Sequence, residues 1–350
     1  MRILRAVSFI TACILLAGCH RDTGQNQPTE PPGLINEVEK PVFLMIPKEK
    51  SNPYMLKMYE GFVAACTECG AEPRFGLIGV NTAQAQIDLI NQTVSEGGVN
   101  IIAVAANDAD QLEPSLKTAM QAGIQIISLD SSVNSNSRKV HIQQASPEII
   151  GRALIQATAK MTGGKAVVGL ISTTPYATNQ NLWISWMMQE LNDYRDKYRD
   201  FRLLPIVYGE DLPQQSRMAA SDMLARHPDL TVIITPSAVS MLAVGQVIRE
   251  RHSNVIFTGL GLPSEIAPFI EDGSCPWMYL WNPIDIGYLA AWTANALYTE
   301  EIAGTKGDFF TAGRLGQRVV ADSADGGTEI LLGDPIKFDR DNIEEWKLVY

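Results

Sequence analysis

This chain of 350 residues has only four histidines and five cysteines, and its 28 lysines and arginines are outnumbered by 39 aspartates and glutamates. The net charge of −11 excludes nucleic acid and anionic membrane surfaces as natural partners, because the summed field repels both. Catalytic motifs are missing as well: there is no Gly-x-Ser-x-Gly elbow, no His-Glu-x-x-His pair, no Walker loop and no Gly-x-Gly-x-x-Gly turn after the first strand. Gly259-Leu260-Gly261 follows a strand but runs into Pro263, which makes it a poor dinucleotide loop. His20 lies near the N-terminus, His141 on a weak strand, and His227 and His252 at helix ends beside Arg226 and Arg251. None of this assembles a nucleophile with its base, so no catalytic residue, cofactor or metal is expected.

Long apolar runs are also absent. The N-terminal stretch from Ala6 to Leu15 is far short of the about 20 residues a spanning helix needs. It follows Arg2 and Arg5 and closes in Leu16-Ala17-Gly18-Cys19, a secretory pattern that resembles the bacterial lipobox. That resemblance implies a signal peptide over 1–18, cleavage before Cys19 and lipid on its thiol, with the mature chain working in the periplasm or cell envelope. Residues 19–40, with Pro28, Pro31, Pro32, Gly24 and Gly33 and no apolar period, are expected to form a flexible tether. Cys13 would be removed and Cys19 acylated, leaving Cys66, Cys69 and Cys275. Three is odd, so at least one stays unpaired. Cys66-Thr67-Glu68-Cys69 lies in a helical pattern and reads as a local disulfide or two quiet thiols, not as redox chemistry.

Removing residues 1–18 from the 350 leaves 332, more than one core usually serves, and 46% hydrophobic with 19% charged residues belongs to a globular chain. From Pro41 onward, short β-branched runs alternate with helix-length amphipathic segments, the pattern of βαβ units and a parallel sheet. Strands are expected at 42–46, 75–80, 100–105, 124–129 and 139–142, with helices at 54–69, 82–96 (capped by Asn81) and 111–122. The pattern restarts with helices at 147–161, 180–194, 214–226 and 238–250 and strands at 166–172, 203–208, 230–235 and 255–259. A less regular end follows: a strand at 276–280, a helix at 284–301, and strands at 318–321 and 328–332. The fold class is α/β, two doubly wound lobes in succession.

In open parallel sheets, ligands bind beyond the carboxyl ends of the strands. Those positions carry Lys48, Asn52 and Tyr54, then Asn107, Asp130, Asn179 and Gln180, then Pro236, Ser237 and Ala238, and finally Trp281 and Asn282. Amides, hydroxyls, a carboxylate, a lysine and aromatic rings are the groups that hold a neutral polyol. Each has a plainer alternative: Asn179 as a helix cap, Trp183 as a core residue, Pro53 as a helix start. A hydrolase would instead need paired carboxylates across a cleft, with Asp130 and either Asp108 or Asp285 as candidates.

Ile46-Pro47-Lys48 with Asn52-Pro53-Tyr54, the Asp130-Ser131 strand end, the run Ala177 to Trp183, Ile234 to Ala238, Leu280 to Pro283 and the tail from Asp334 to Asp339 resemble the type I periplasmic sugar-binding proteins. The likeness is greatest to the branch holding the autoinducer-2- and rhamnose-binding receptors of ABC importers. It implies two Rossmann-like lobes joined by a three-crossover hinge, here 41–145 plus about 283–308, and 146–282 plus about 309–350. By motif, Lys48, Asp130, Gln180, Pro236 and Ala238 match autoinducer-2-contacting positions. Asn179 departs, since that branch has an aspartate there, and this makes a rhamnose-like deoxyaldose or another pentose or hexose at least as good a ligand.

The implied roles are hydroxyl acceptance by Asp130, donation by Lys48, paired donors and acceptors from Asn179 and Gln180, and ring faces covered by Tyr54 and Trp281. The implied partners are a monosaccharide, an ABC permease and the membrane through the N-terminal lipid, for a monomer that binds no nucleic acid. A sugar-sensing lipoprotein serving a signalling partner fits the same residues. A transcription regulator of the ribose-repressor kind would need a helix-turn-helix before Pro41.

Overall fold

The computed structural model describes residues 40–350; Cys19, the signal peptide and the tether up to residue 39 lie outside the described residues. The first lobe opens with β1 (Val42–Ile46), α1 (Pro53–Cys69), β2 (Glu72–Phe75), α2 (Ala83–Glu96), β3 (Ile101–Val104), α3 (Ala109–Gln121), β4 (Gln125–Leu129) and β5 (Val140–Gln143). The chain then crosses to α4 (Pro147–Thr162), β6 (Ala166–Ser172), α5 (Thr178–Asp193), β7 (Phe201–Leu203), β8 (Val207–Tyr208), α6 (Pro213–Arg226), β9 (Val232–Thr235), α7 (Ala238–Glu250), β10 (Ile256–Gly259), α8 (Pro263–Asp272) and β11 (Met278–Leu280). A return gives α9 (Pro283–Tyr298), β12 (Phe309–Thr311), β13 (Gln317–Val319), β14 (Ala321–Asp322) and β15 (Thr328–Leu331) before β16 (Ile336–Phe338) and α10 (Ile343–Trp346).

β1 shows why the first sheet is covered on both faces. Phe43 and Met45 join one apolar cluster with Met58 and Phe62 of α1 and Leu289 of α9. Leu44 and Ile46 join another with Ile90 of α2 and Leu112 and Leu116 of α3. Successive side chains leave a strand on opposite faces, so a strand apolar at every position must sit between two helix layers. The sheet order is β14-β15-β5-β4-β3-β1-β2, parallel except at the β14–β15 hairpin. The order reverses between β1 and β3, which puts the loops after β1, β3 and β4 around one crevice. The second lobe repeats the plan with parallel β10-β9-β6-β7, extended by β8 on β6, while β11 pairs antiparallel with β16.

Three crossings therefore join the lobes, at 144–146, at 281–282 and at 332–335. The last corrects the expected boundary. Residues 309–331 return to the first lobe, where β15 pairs with β5 through Glu329–His141 to Leu331–Gln143, and only the end of the chain joins the second lobe. β5 would otherwise be an open edge whose hydrogen-bonding groups need partners.

Other differences are local. The second strand runs over 72–75, because Gly76 begins a loop in which Leu77 and Val80 are exposed. Thr82, not Asn81, caps α2. Pro205, which has no N–H for a ladder, separates β7 from β8 where one strand was expected. α8 was not read because Pro263 and Pro268 both lie within it; the first stands at its opening position, where proline is tolerated. Cys66, Cys69 and Cys275 are all free thiols, and burial pushes the Cys66 and Cys275 thiols well up. They are quiet thiols in the sense of reactivity.

Candidate functional site

The two lobes face each other across a cavity lined by Lys48, Asn52, Tyr54, Asp130, Asn179, Gln180, Pro236, Ala238 and Trp281, together with Met55, Trp183, Asp211, Ser237, Leu260 and Leu280. Asp130 follows β4 with φ at +62°, a left-handed conformation that aspartate tolerates better than most residues. The bend is held from the first crossing, where Gln144 donates to the Asp130 backbone oxygen at 2.9 Å and to Oδ1 at 2.6 Å. Tyr54 adds a hydroxyl donated to Oδ1 at 3.1 Å, and Trp281 on the second crossing donates its indole N–H to the Tyr54 oxygen at 2.6 Å. Burial and the neighbouring Asp130 push the Tyr54 hydroxyl well up, so it stays a donor.

The other carboxylate oxygen faces Lys48 Nζ at 3.9 Å and accepts from Asn179 Nδ2 of the second lobe at 3.2 Å. The ammonium is too far for a hydrogen bond, and among the described residues no protein acceptor engages it. Gln180 accepts from Ser172 Oγ at 2.7 Å and from the Thr173 N–H at 3.0 Å, which fixes its oxygen and leaves its Nε2 for a ligand. Trp183 is a core residue and a lining residue at once. Its ring meets Trp281 at 5.6 Å between centroids, and its Nε1 is buried with no partner, a donor that costs stability until an acceptor arrives.

Asp211 is the cavity-lining residue that sequence reading missed. It stands with Glu210 in consecutive left-handed conformations, φ 51° and 54°, in the loop between β8 and α6. Its Oδ1 accepts from Ser237 Oγ at 2.8 Å and its Oδ2 from Asn52 Nδ2 at 3.2 Å. Burial raises its carboxyl above the usual range, opposed by Lys48 and Ser237. The available signal was Gly209 followed by two acidic residues at a strand end, just before a helix that begins with Pro213.

Two expected site residues are placed elsewhere. Asn107 stands behind the cavity, its N–H donating to Gln86 Oε1 at 2.8 Å and its Nδ2 to the Lys48 backbone oxygen at 3.1 Å; it props Lys48. Asn282 is spent capping α9, accepting from the Ile284 N–H at 3.0 Å. The carboxylate pairs weighed for hydrolysis are not formed either. Asp108 caps α3 and Asp285 pairs with Arg314 on the surface of α9, neither lining the cavity. Among the described residues no cluster of His, Cys, Asp and Glu could hold a metal ion, and no helix is long and apolar enough to cross a membrane.

The lining combines two kinds of group: two carboxylates, one ammonium and three amides, and the apolar surfaces of Met55, Trp183, Leu260, Leu280 and Trp281. One cation between two carboxylates disfavours an anionic ligand, and oriented amides beside an aromatic wall suit a neutral molecule with hydroxyls on one side and carbon on the other. The cavity is only about 50 Å³, because Asn179 and Asp130, and Asn52 and Asp211, hydrogen-bond to each other across it.

Comparison with known proteins gives the same plan. The periplasmic binding protein domain matches residues 43–302. An ABC transporter solute-binding protein from Clostridium phytofermentas, solved with bound L-rhamnose, is 39% identical with a TM-score of 0.86, over 89% of this chain and 99% of that one. LsrB from Clostridium saccharobutylicum, in complex with AI-2, has the same fold at 22% identity and a TM-score of 0.80, over 87% and 99% of the two chains. The D-ribose/D-allose-binding protein of Pseudomonas aeruginosa is 23% identical over 251 residues, 67% of this chain and 75% of that protein. With its parallel-sheet lobes, three crossings and interlobe cavity, the chain belongs to the periplasmic binding protein domain family, in the two-lobed type I architecture of the sugar-binding receptors.

Proposed function

We propose that this protein is the receptor of an ABC-type sugar importer and binds a neutral deoxyaldose of the rhamnose kind between its lobes. The observation that carries the reading is the mixed lining of the cavity: Asp130, held by Tyr54 and Gln144 beside Lys48, shares it with Trp183, Trp281, Leu260 and Leu280. A 6-deoxy sugar presents vicinal hydroxyls to a carboxylate and an ammonium and a methyl group to an apolar wall. The 39%-identical neighbour solved with L-rhamnose supports it.

The action is binding without chemistry. Sugar hydroxyls take over the bonds that Asn179 and Asn52 make across the cleft, the Trp183 N–H gains its acceptor, and the closed pair of lobes is what the permease would recognise. Lipid on Cys19 would keep the receptor at the envelope, in the periplasm, as a monomer near that permease. An autoinducer-2 receptor is the competing ligand assignment, weakened by the amide at Asn179; a sensor lipoprotein would bind the same sugar and differ only in its partner.

The test is thermal melting of the purified protein with rhamnose, ribose, xylose, galactose and autoinducer-2, followed by calorimetry. A ligand at 100 times its dissociation constant stabilises the fold by about 2.7 kcal/mol. A shift with rhamnose, lost in Asp130→Ala, is the expected result. A shift with autoinducer-2 alone would replace the ligand, and no shift with any of the five would overturn the sugar reading.

A further inference from the structure

Beside the small cavity, on the hinge side, lies a groove of about 770 Å³ bounded by both lobes. Its floor comes from β5 and the first crossing, through His141, Gln143 and Ser146. One wall is the exposed face of α5, with Asn181, Leu182, Ser185 and Trp186, and the opposite wall holds Asn134 and the β14–β15 turn at Ser323 to Asp325. The groove and the cavity share two lining residues, Asp130 and Asn179. These two residues bond to each other where the spaces adjoin, Asn179 Nδ2 donating to Asp130 Oδ2 at 3.2 Å.

A ligand that takes over the Asp130 oxygen displaces this bond and reaches both spaces from one position. The chemistry of the groove repeats that of the cavity. Amides and hydroxyls are set in a largely apolar surface, Trp186 supplies an aromatic ring with the Arg152 guanidinium over one face at 5.1 Å, and of the acidic residues in the lining Glu148 and Asp325 are paired with Arg152 and Arg138. Such a surface accepts hydroxyls and covers C–H faces, and with its arginines already paired it offers, among the described residues, no free cation to a phosphate or uronate group.

We propose that the groove is a second subsite, and that the receptor takes a neutral glycoside whose first sugar sits between Asp130 and Lys48 and whose second ring lies along α5 against Trp186. The linkage oxygen passes between Asp130 and Asn179. This rests on the reading of the inner cavity as a deoxyaldose site and widens the substrate class from a monosaccharide to a glycoside of that sugar.

Calorimetry with L-rhamnose and with the regioisomeric α-linked rhamnose disaccharides tests it on the whole protein. At least one disaccharide binds about tenfold tighter than rhamnose, the gain expected of one stacked ring. Ser185→Trp, on the exposed face of α5, fills the groove and removes that gain while rhamnose affinity stays unchanged; Trp186→Ala does the same if it folds. Rhamnose binding with no disaccharide binding, or a disaccharide affinity indifferent to Ser185→Trp, overturns the second subsite and leaves the monosaccharide reading standing. Disaccharide binding without rhamnose binding keeps the subsite and removes the monosaccharide reading. Binding of neither overturns both.

Discussion

Asn52 and Asp211 meet across the cleft at 3.2 Å, and the asparagine serves both lobes with one amide: its oxygen caps α1 through the N–H groups of Tyr54 and Met55, and its nitrogen donates to the Asp211 carboxylate. The cap fixes which way the amide faces, so the donor aimed at the second lobe is set by the first lobe's helix. Because burial raises the Asp211 carboxyl, the folded protein holds that proton more tightly than the unfolded chain. Between the unfolded value of about 3.9 and the raised folded value, this group's contribution to stability therefore falls as pH rises, then levels off. Asp211→Asn keeps an acceptor for Asn52 and a partner for Ser237 but does not titrate. The melting temperature of the variant relative to the parent should climb from about pH 4 and then plateau; a difference that stays flat across the range would show that Asp211 carries no such shift.

Trp183→Phe separates the two roles of that residue. The phenyl ring preserves most of the packing against Trp281, while the orphaned N–H disappears. Sugar affinity should weaken about tenfold, the worth of one hydrogen bond to a buried donor, and the unliganded melting temperature should hold or rise slightly because an unsatisfied polar group has gone. Unchanged affinity with a lower melting temperature would make Trp183 a packing residue alone.

A buried chain of hydrogen bonds reaches the site from β5. Ser128 Oγ meets His141 Nδ1 at 2.9 Å, His141 Nε2 meets Gln143 Oε1 at 3.1 Å, Gln143 donates to Gln144 Oε1 at 3.0 Å, and Gln144 donates to Asp130. Burial, helped by nearby Arg138, lowers the His141 pKa to about 3. The unfolded chain, with a histidine pKa of about 6.5, binds the proton first as pH falls. This histidine's share of stability is thus whole above about pH 6.5 and shrinks as pH drops toward about 3. His141→Leu should be less stable at neutral pH, where Ser128 and Gln143 lose their partner, yet lose stability less steeply in acid, by up to one proton. Parallel pH profiles for the two proteins would refute the assignment.

What the residue pattern disclosed, and what it hid, follows from range. Elements set by local rules were legible: β1, β6 and α7 lie where their apolar runs and caps put them, with Ser237 capping α7. Strand-end position also gathered Lys48, Asp130, Asn179 and Gln180 into one candidate site, because the topology of a doubly wound sheet places those ends together. The return of 309–331 to the first lobe was hidden, since β14 and β15 are short and find their place only through pairing with β5. Asp211 was hidden for a similar reason: Pro205 breaks the strand before it, and two left-handed residues turn the loop inward. Asn107 and Asn282 looked like Asn52, and nothing in the sequence says which strand-end amide caps or props and which reaches the cavity.

Gly287 offers the sharpest link between packing and binding. A Cβ there would stand 1.7 Å from the Met58 backbone oxygen, and one at Gly61 would stand 1.8 Å from the Ile284 oxygen, so α1 and α9 cross backbone to backbone. Gly287→Ala must push the helices apart, at a cost of about 3 kcal/mol, which is about 6 °C in melting temperature for a chain this large. The displacement does not stay local. Tyr54 stands in the first turn of α1 and Trp281 two residues before the start of α9, so the N-terminal ends of the two helices set the donor and acceptor of the 2.6 Å bond that orients Tyr54 toward Asp130. Sugar affinity should therefore weaken along with stability. Gly163→Ala is the control, because that glycine ends α4 in a left-handed turn with open space around it: about 1 kcal/mol is lost and affinity stays the same. If Gly287→Ala lowered the melting temperature but left affinity equal to that of Gly163→Ala, the helix crossing would hold the first lobe together without aiming the residues at the ligand.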